Sequence, residues 1–139
     1  MPALGETLTL PGWNGKPHLF VVVWGPGQIA QDATNDSVLL VCFDSIQPGV
    51  KYDPSCVLQA GDHPFISKPT FVSYRHLRSD EATHVDKMVA SGVWAAGKPV
   101  SAAVLKKMQA GLCASKAVKP KYKAAMGCPP PPPRPSAGP

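Results

Sequence analysis

Two stretches of the chain are continuously apolar, and the polar positions around them set the rest of the pattern. His18–Trp24 (HLFVVVW) and Ser37–Asp44 (SVLLVCFD) are rich in β-branched residues and too short for helices. Runs of that kind predict buried strands. Gly25-Pro26-Gly27 ends the first and residues 28–36 form a polar connection, so the two strands are expected to pair as an antiparallel hairpin with a longer loop. Thr70–Tyr74 (TFVSY) alternates instead. Phe71, Ser73 and Arg75 fall on one side, and Val72, Tyr74 and His76 on the other, which predicts a half-buried strand. Between Ser45 and Lys68 the turn pairs Pro48-Gly49, Asp53-Pro54, Ala60-Gly61 and His63-Pro64 separate the short apolar pairs Val57-Leu58 and Phe65-Ile66. Short strands and turns are expected there, with no helix.

The period changes after Arg78. Ser79 offers a capping hydroxyl, with Asp80 and Glu81 in what would be the first helical turn, where the helix dipole favours acids. Ala82, Val85, Met88 and Val89 then share a face, and Gly92 is placed to stop the helix. Ser101 opens a second helix with Val104, Leu105, Met108 and Leu112 on one side and Lys106-Lys107 toward water. The segment between the helices is too long for a helix-turn-helix, whose turn is about 3–4 residues. The sum is four to six strands followed by two helices. That is a small α+β fold with an antiparallel, partly open barrel.

Composition changes this picture at the C-terminal end. The 139 residues suit one domain. From Lys119 the chain loses apolar periodicity and reaches the proline run Pro129–Pro133, which favours polyproline II. The expected organisation is a folded domain over 1–118 and a basic, proline-rich disordered tail over 119–139. In form the tail also fits a ligand of SH3 or profilin-like domains. The net charge of +5 divides unevenly between these parts. Four of the 14 basic residues lie in the tail, which has no acid, leaving ten against nine acidic in the domain, or +1. A nucleic-acid surface on the domain therefore needs local clustering, as at Lys68, Arg75 and Arg78.

Cys42, Cys56, Cys113 and Cys128 show no CxxC spacing, MPALGETLTL lacks the features of a secretory signal, and no apolar run is long enough for a membrane helix. A cytoplasmic protein with reduced thiols, no membrane partner and no cofactor is expected.

Candidate chemistry concentrates in Asp53–Arg78 (DPSCVLQAGDHPFISKPTFVSYRHLR). Metal-independent RNA cleavage needs a base for the 2′-hydroxyl, an acid for the leaving oxygen and a cation on the phosphate. Arg75 suits the phosphate, because its planar fork grips two oxygens. His63 and His76 are proton carriers near neutral pH, and Asp62 could orient His63 or act as base. The catalytic candidates are Arg75, His63 and Asp62. Lys68, Tyr74, His76 and Arg78 are candidates for binding substrate, with Tyr74 stacking a base or donating to phosphate.

Structural readings stand beside these. Asp62-His63-Pro64 also reads as a turn, and Arg75 as a surface partner of Asp44 or Asp80. His18, at a strand start, reads as a strand-end residue rather than a catalyst, and His84 as a solvated helix side chain. In a regular strand Arg75 and His76 point to opposite faces and share a site only if the strand ends or bulges there. That makes His63 the expected partner of Arg75. Cys56, Asp62, His63, His76 and His84 are ligand types without metal-binding spacing, so no metal is expected.

The order HLFVVVW, polar loop, SVLLVCFD, turn-rich middle, TFVSYRH and then helices resembles the MazF/PemK-like proteins, as does the run AGDHPFI…FVSYRHLR, over roughly residues 17–115. The resemblance implies an SH3-like barrel and a sequence-specific, metal-independent endoribonuclease of a toxin–antitoxin pair. It also implies RNA and a cognate antitoxin protein as partners, and a homodimer. Arg75 takes the place of the family's phosphate-assisting arginine. The chain departs from the family in having GPGQIAQDATND where a Gly-His-Glu-Gln loop and an Arg-Pro are usual, and Leu77 where an acid is common. The alternative from another class is a non-catalytic protein-binding module of bacterial or phage origin that keeps the barrel.

Overall fold

The computed structural model describes residues 2–12, 15–29 and 35–129. Six strands form one antiparallel sheet: β1 (Thr7–Pro11), β2 (Pro17–Gly27), β3 (Ser37–Ser45), β4 (Val57–Leu58), β5 (Thr70–Glu81) and β6 (Ala95–Gly97). Their order across the sheet is β4-β5-β3-β2-β1-β6. Among the described residues three helices accompany the sheet: α1 (Ala82–Ala90), α2 (Ala102–Ala114) and α3 (Pro120–Met126). The protein is α+β, with an open sheet whose edges are the short strands β4 and β6.

The continuous apolar runs have a direct cause, because the sheet is covered on both faces. Leu19, Val21, Val23, Leu39, Val41 and Phe43 pack with Val104, Met108 and Leu112 of α2. The alternate positions Phe20, Val22, Val38, Leu40 and Cys42 pack with Leu8, Leu10, Val85 and Trp94 on the side of α1. Strands sandwiched this way have no solvent face to carry polar alternation. The hairpin of β2 and β3 forms as expected, with Phe20 opposite Cys42 and Val21 opposite Val41. β1 and β6 are strands that the sequence pattern leaves unassigned. Each is short, and β6 pairs only with β1.

α2 begins where the pattern places it. Ser101 caps it by accepting the Val104 N–H at 3.2 Å. α1 begins later than expected. Ser79, Asp80 and Glu81 pair with Leu39, Val38 and Ser37, so backbone pairing to β3 holds them in β5 rather than in a first helical turn. Gly92, at φ +78°, follows the end of α1 in the left-handed region.

The segment expected to start a disordered tail at Lys119 holds α3, and a Cys113–Cys128 disulfide (Cα–Cα 5.4 Å) ties it to α2. Tyr122, Met126 and Cys128 also pack against the α2-side core. Tyr122 and Met126, four apart, share one face of α3, but two such positions in a seven-residue helix are too few to establish a period in the sequence. The expectation of reduced thiols is corrected for this pair, while Cys42 and Cys56 are buried and free. Residues 130–139, with most of the proline run, and Trp13 lie outside the described residues. Among the described residues no helix is long and apolar enough to cross a membrane.

Candidate functional site

The irregularity that builds the site lies in β5. Above it, Leu40 faces Arg78; below it, Cys42 faces Ser73. One residue of β3, Val41, therefore stands opposite Tyr74, Arg75, His76 and Leu77 of β5. This is a bulge of several residues in the middle of a buried strand, and bulges of this kind re-aim side chains. Tyr74 and Leu77 turn into the α2-side core. Arg75 is exposed, His76 is half-buried, and both line one cavity of about 390 Å³. The alternation expected of a regular strand would have separated them.

The floor of the cavity follows from register. Phe20, Cys42 and Ser73 form a row across β2, β3 and β5 on the α1 side. Two residues further along each strand lie His18, Asp44 and Phe71, on the same side by the pleat. Asp44 and Phe71 are direct partners, and His18 faces Leu10 of the α1-side core. α1 and Trp94 cover the Leu8, Val38 and Leu40 end of this face. The row with His18 and Asp44 is open to a second cavity of about 560 Å³, which shares Asp44, Val50, Lys51, Tyr52 and Phe71 with the first and adds Lys16. Together they form one groove.

The loop after β3 makes its wall. Val50 and Tyr52 are exposed there, and the Tyr52 ring lies 5.3 Å from that of Phe71. The loop is pinned at Asp53, which accepts hydrogen bonds from the Ser55 N–H, the Ser55 hydroxyl and the hydroxyl of Ser115 at the end of α2. Burial raises the Asp53 carboxyl, but those hydrogen bonds outweigh it and hold the group below its ordinary value. His76 Nδ1 lies 2.8 Å from the Ser73 hydroxyl. Burial, then the Arg75 guanidinium, and also His18, push the His76 imidazole below its ordinary value against the pull of Asp44. The ring is thereby biased to its neutral form.

The other residues singled out from sequence lie elsewhere. His63 is buried in the turn region, with Nε2 2.7 Å from the Lys98 carbonyl and Nδ1 accepting the Phe65 N–H at 3.1 Å. With one nitrogen donating to a carbonyl and the other accepting, the ring is fixed as a structural link. Its cavity is lined by Lys98, Pro99 and Ser101, and not by Arg75. Asp62 closes its own turn by accepting the Gln59 N–H at 2.8 Å. Tyr74 is buried, and its hydroxyl donates to the Met108 carbonyl at 2.6 Å. Burial above all holds that hydroxyl protonated far above its ordinary value. Arg78 grips Asp80 with two nitrogens, at 2.6 and 2.9 Å, and sits 5.3 Å from the centre of the Trp94 ring. Lys68 is exposed beside Phe65 and Thr70, in a recess that adjoins the groove through Asp44 and Ser45 but does not include Arg75 or His76.

The structure thus brings together Arg75 and His76 with His18, Asp44, Lys51 and Tyr52. It does not bring His63 or Asp62 to them. Tyr52 and Lys51 had one signal in the sequence, as exposed-type residues beside the Pro48-Gly49 turn. His18 had none beyond its place at a strand start. Neither free cysteine is a candidate nucleophile: burial, and then Asp44, push the Cys42 thiol up to about 12, and burial raises Cys56. Among the described residues no three His, Cys, Asp or Glu side chains group where they could hold a metal ion. Compared with known proteins, the chain matches no family model, no curated relative and no solved structure.

Proposed function

We propose that the protein acts on RNA as a metal-independent endoribonuclease of toxin type, with the Arg75–His76 groove as its site. The observation that carries this reading is the β5 bulge, which turns a guanidinium and an imidazole from adjacent residues toward one cavity. Arg75 binds the scissile phosphate through its fork, and Lys51 and Lys16 add charge along the groove. The neutral ring of His76 accepts the 2′-hydroxyl proton. The Tyr52–Phe71 pair offers a ring face to a base, a role the buried Tyr74 cannot fill. A cognate antitoxin and a homodimer belong to the same proposal and rest on the resemblance to MazF/PemK-like toxins.

The test is incubation of the purified protein with RNA in EDTA. Fragments ending in a 2′,3′-cyclic phosphate are the expected products. Intact RNA would turn the reading toward the second one, a non-catalytic protein-binding module. That alternative is favoured by the exposure of Val50 and Tyr52 on the rim, an apolar and aromatic pair of the kind that anchors protein contacts.

A further inference from the structure

A transfer of this kind moves two protons, and His76 accounts for one. The 2′-hydroxyl loses a proton as it attacks phosphorus, and the 5′-oxygen must gain one as its bond to phosphorus breaks. The expected acid–base partner, His63, is locked between Lys98 and Phe65. The groove holds another imidazole. His18 lies two residues before Phe20, in the row of the sheet that continues through Asp44 to Phe71. His18 and Asp44 line the second cavity together, and Asp44 lines the first with Arg75 and His76, so Asp44 stands where the two parts of the groove meet. Both His18 and Asp44 act on the charge of His76, as groups within electrostatic reach of one another do. The backbone at Gly12 passes against the edge of the His18 ring, since a Cβ there would fall 1.9 Å from His18 Cδ2. The ring is therefore held by packing, as a group of defined direction must be.

We propose that His18 is the second catalytic residue of the groove, donating a proton to the leaving 5′-oxygen. The inference rests on the RNA-cleaving reading above and deepens it. His76 takes the 2′-hydroxyl proton and the 2′-oxygen bonds to phosphorus. The phosphorus–O5′ bond then breaks, and O5′ receives the proton of the His18 imidazolium. The products are a 2′,3′-cyclic phosphate and a 5′-hydroxyl. His76 ends protonated and His18 neutral, and exchange with water resets both. No metal, oxidant or further reactant enters the balance. The charged groups lining the groove with the two rings are Lys16 from the β1–β2 turn, Asp44 from β3, Lys51 and Asp53 from the loop and Arg75 from the bulge.

The experiment compares wild type, His18→Gln and His18→Asn on an ordinary oligoribonucleotide and on one whose leaving 5′-oxygen is replaced by bridging sulfur. A thiolate leaves without protonation, so it separates an acid from a structural residue. His18→Gln is expected to lower cleavage of the ordinary RNA by about 10²–10⁴-fold and to leave RNA affinity within about threefold. On the sulfur-bridged substrate it should cleave at close to the wild-type rate. Thermal melts and the Asn variant guard against a folding defect. Ordinary cleavage at the wild-type rate in either variant overturns the inference alone, as does an equal loss on both substrates. Absence of any cleavage by the wild-type protein overturns it together with the proposed function.

Discussion

Two arginines on β5, Arg75 and Arg78, are separated by the end of one bulge and stand in opposite situations. Arg78 lies where pairing with β3 has resumed, opposite Leu40. Its fork is matched by both oxygens of Asp80, and its guanidinium carbon lies over the Trp94 ring, with His84 at a right angle to the same indole at 5.4 Å. Asp80 is nearly buried, its side chain 8% exposed, so the pair completes a corner under α1. Arg75 lies inside the bulge and reaches an open groove with Lys51 and His76 near it. A guanidinium that shares both nitrogens with a carboxylate stabilises the fold and repels no ligand. Arg75 is exposed in a cavity lined by Asp44 and Asp53 as well as Lys51, and shows no such bidentate pair among the described residues, which leaves its fork for an anionic ligand. Residue type does not separate these two arginines, but their neighbours do.

The sharpest way to break the comparison is to remove each arginine in turn. Arg75→Ala is expected to reduce RNA cleavage by about 10²–10³-fold, with the melting temperature unchanged. Arg78→Ala should leave cleavage per folded molecule intact. Kinetics in EDTA and a thermal melt of each variant decide the matter, and a drop in cleavage common to both would erase the distinction.

The packing beneath the bulge is tested on the opposite face. A Cβ at Gly111 would fall 2.3 Å from the Tyr74 hydroxyl and 2.7 Å from Cys56 Cβ, so α2 touches β5 there without space for a side chain. Gly111→Ala should cost about 1–3 kcal/mol by overpacking, measured by urea unfolding. A neutral or stabilising result would mean that α2 does not hold the base of the bulge.

Stability should also register the loss of Arg78. Its removal leaves Asp80 without its bidentate partner and Trp94 without its cation, for about 1–2 kcal/mol in the same unfolding assay. His63→Gln is expected to cost about 1–2 kcal/mol through its two hydrogen bonds, and to leave RNA cleavage within about twofold. If cleavage collapses instead, the turn region belongs to the site and the groove account is wrong.

The smallest effect is one of pH. The His76 imidazole is depressed from 6.5 in the fold. Its contribution to stability is therefore present above pH 6.5 and lost as pH falls through the lower, folded value, because the unfolded chain binds the proton first. Wild type should lose more stability than His76→Gln between pH 7.5 and 5, by under about 1 kcal/mol for a partly exposed group. Equal losses would mean that burial and the neighbouring Arg75 and His18 do not depress the ring in solution.

Much of the architecture is legible in the residues. The runs at Leu19–Val23 and Val38–Phe43 could be nothing but buried strands, and Ser101 followed by Val104, Met108 and Leu112 announces α2. The start of α1 is not legible locally, because Ser79-Asp80-Glu81 is a good local cap that a long-range ladder to β3 overrides. The candidate site was legible only in part. Arg75 and His76 stand out as residue types, yet a period of two assigns them to opposite faces. His63 and Tyr74 look equally suited to chemistry, but the Lys98 and Met108 carbonyls occupy them, and those partners lie far along the chain.

What the amino-acid order determines alone is local: which segments are extended, which are helical, and that strands precede helices. Such features depend on side chains a few positions apart and on hydrophobic period. What only the folded sheet decides is where β5 slips against β3, because that phase is set by pairing at both ends of a strand and by packing on both faces. The slip at Tyr74–Leu77 assembles the groove from β2, β3, β5 and the loop after β3. No local rule relates those segments, since their contacts arise from chain closure rather than from spacing.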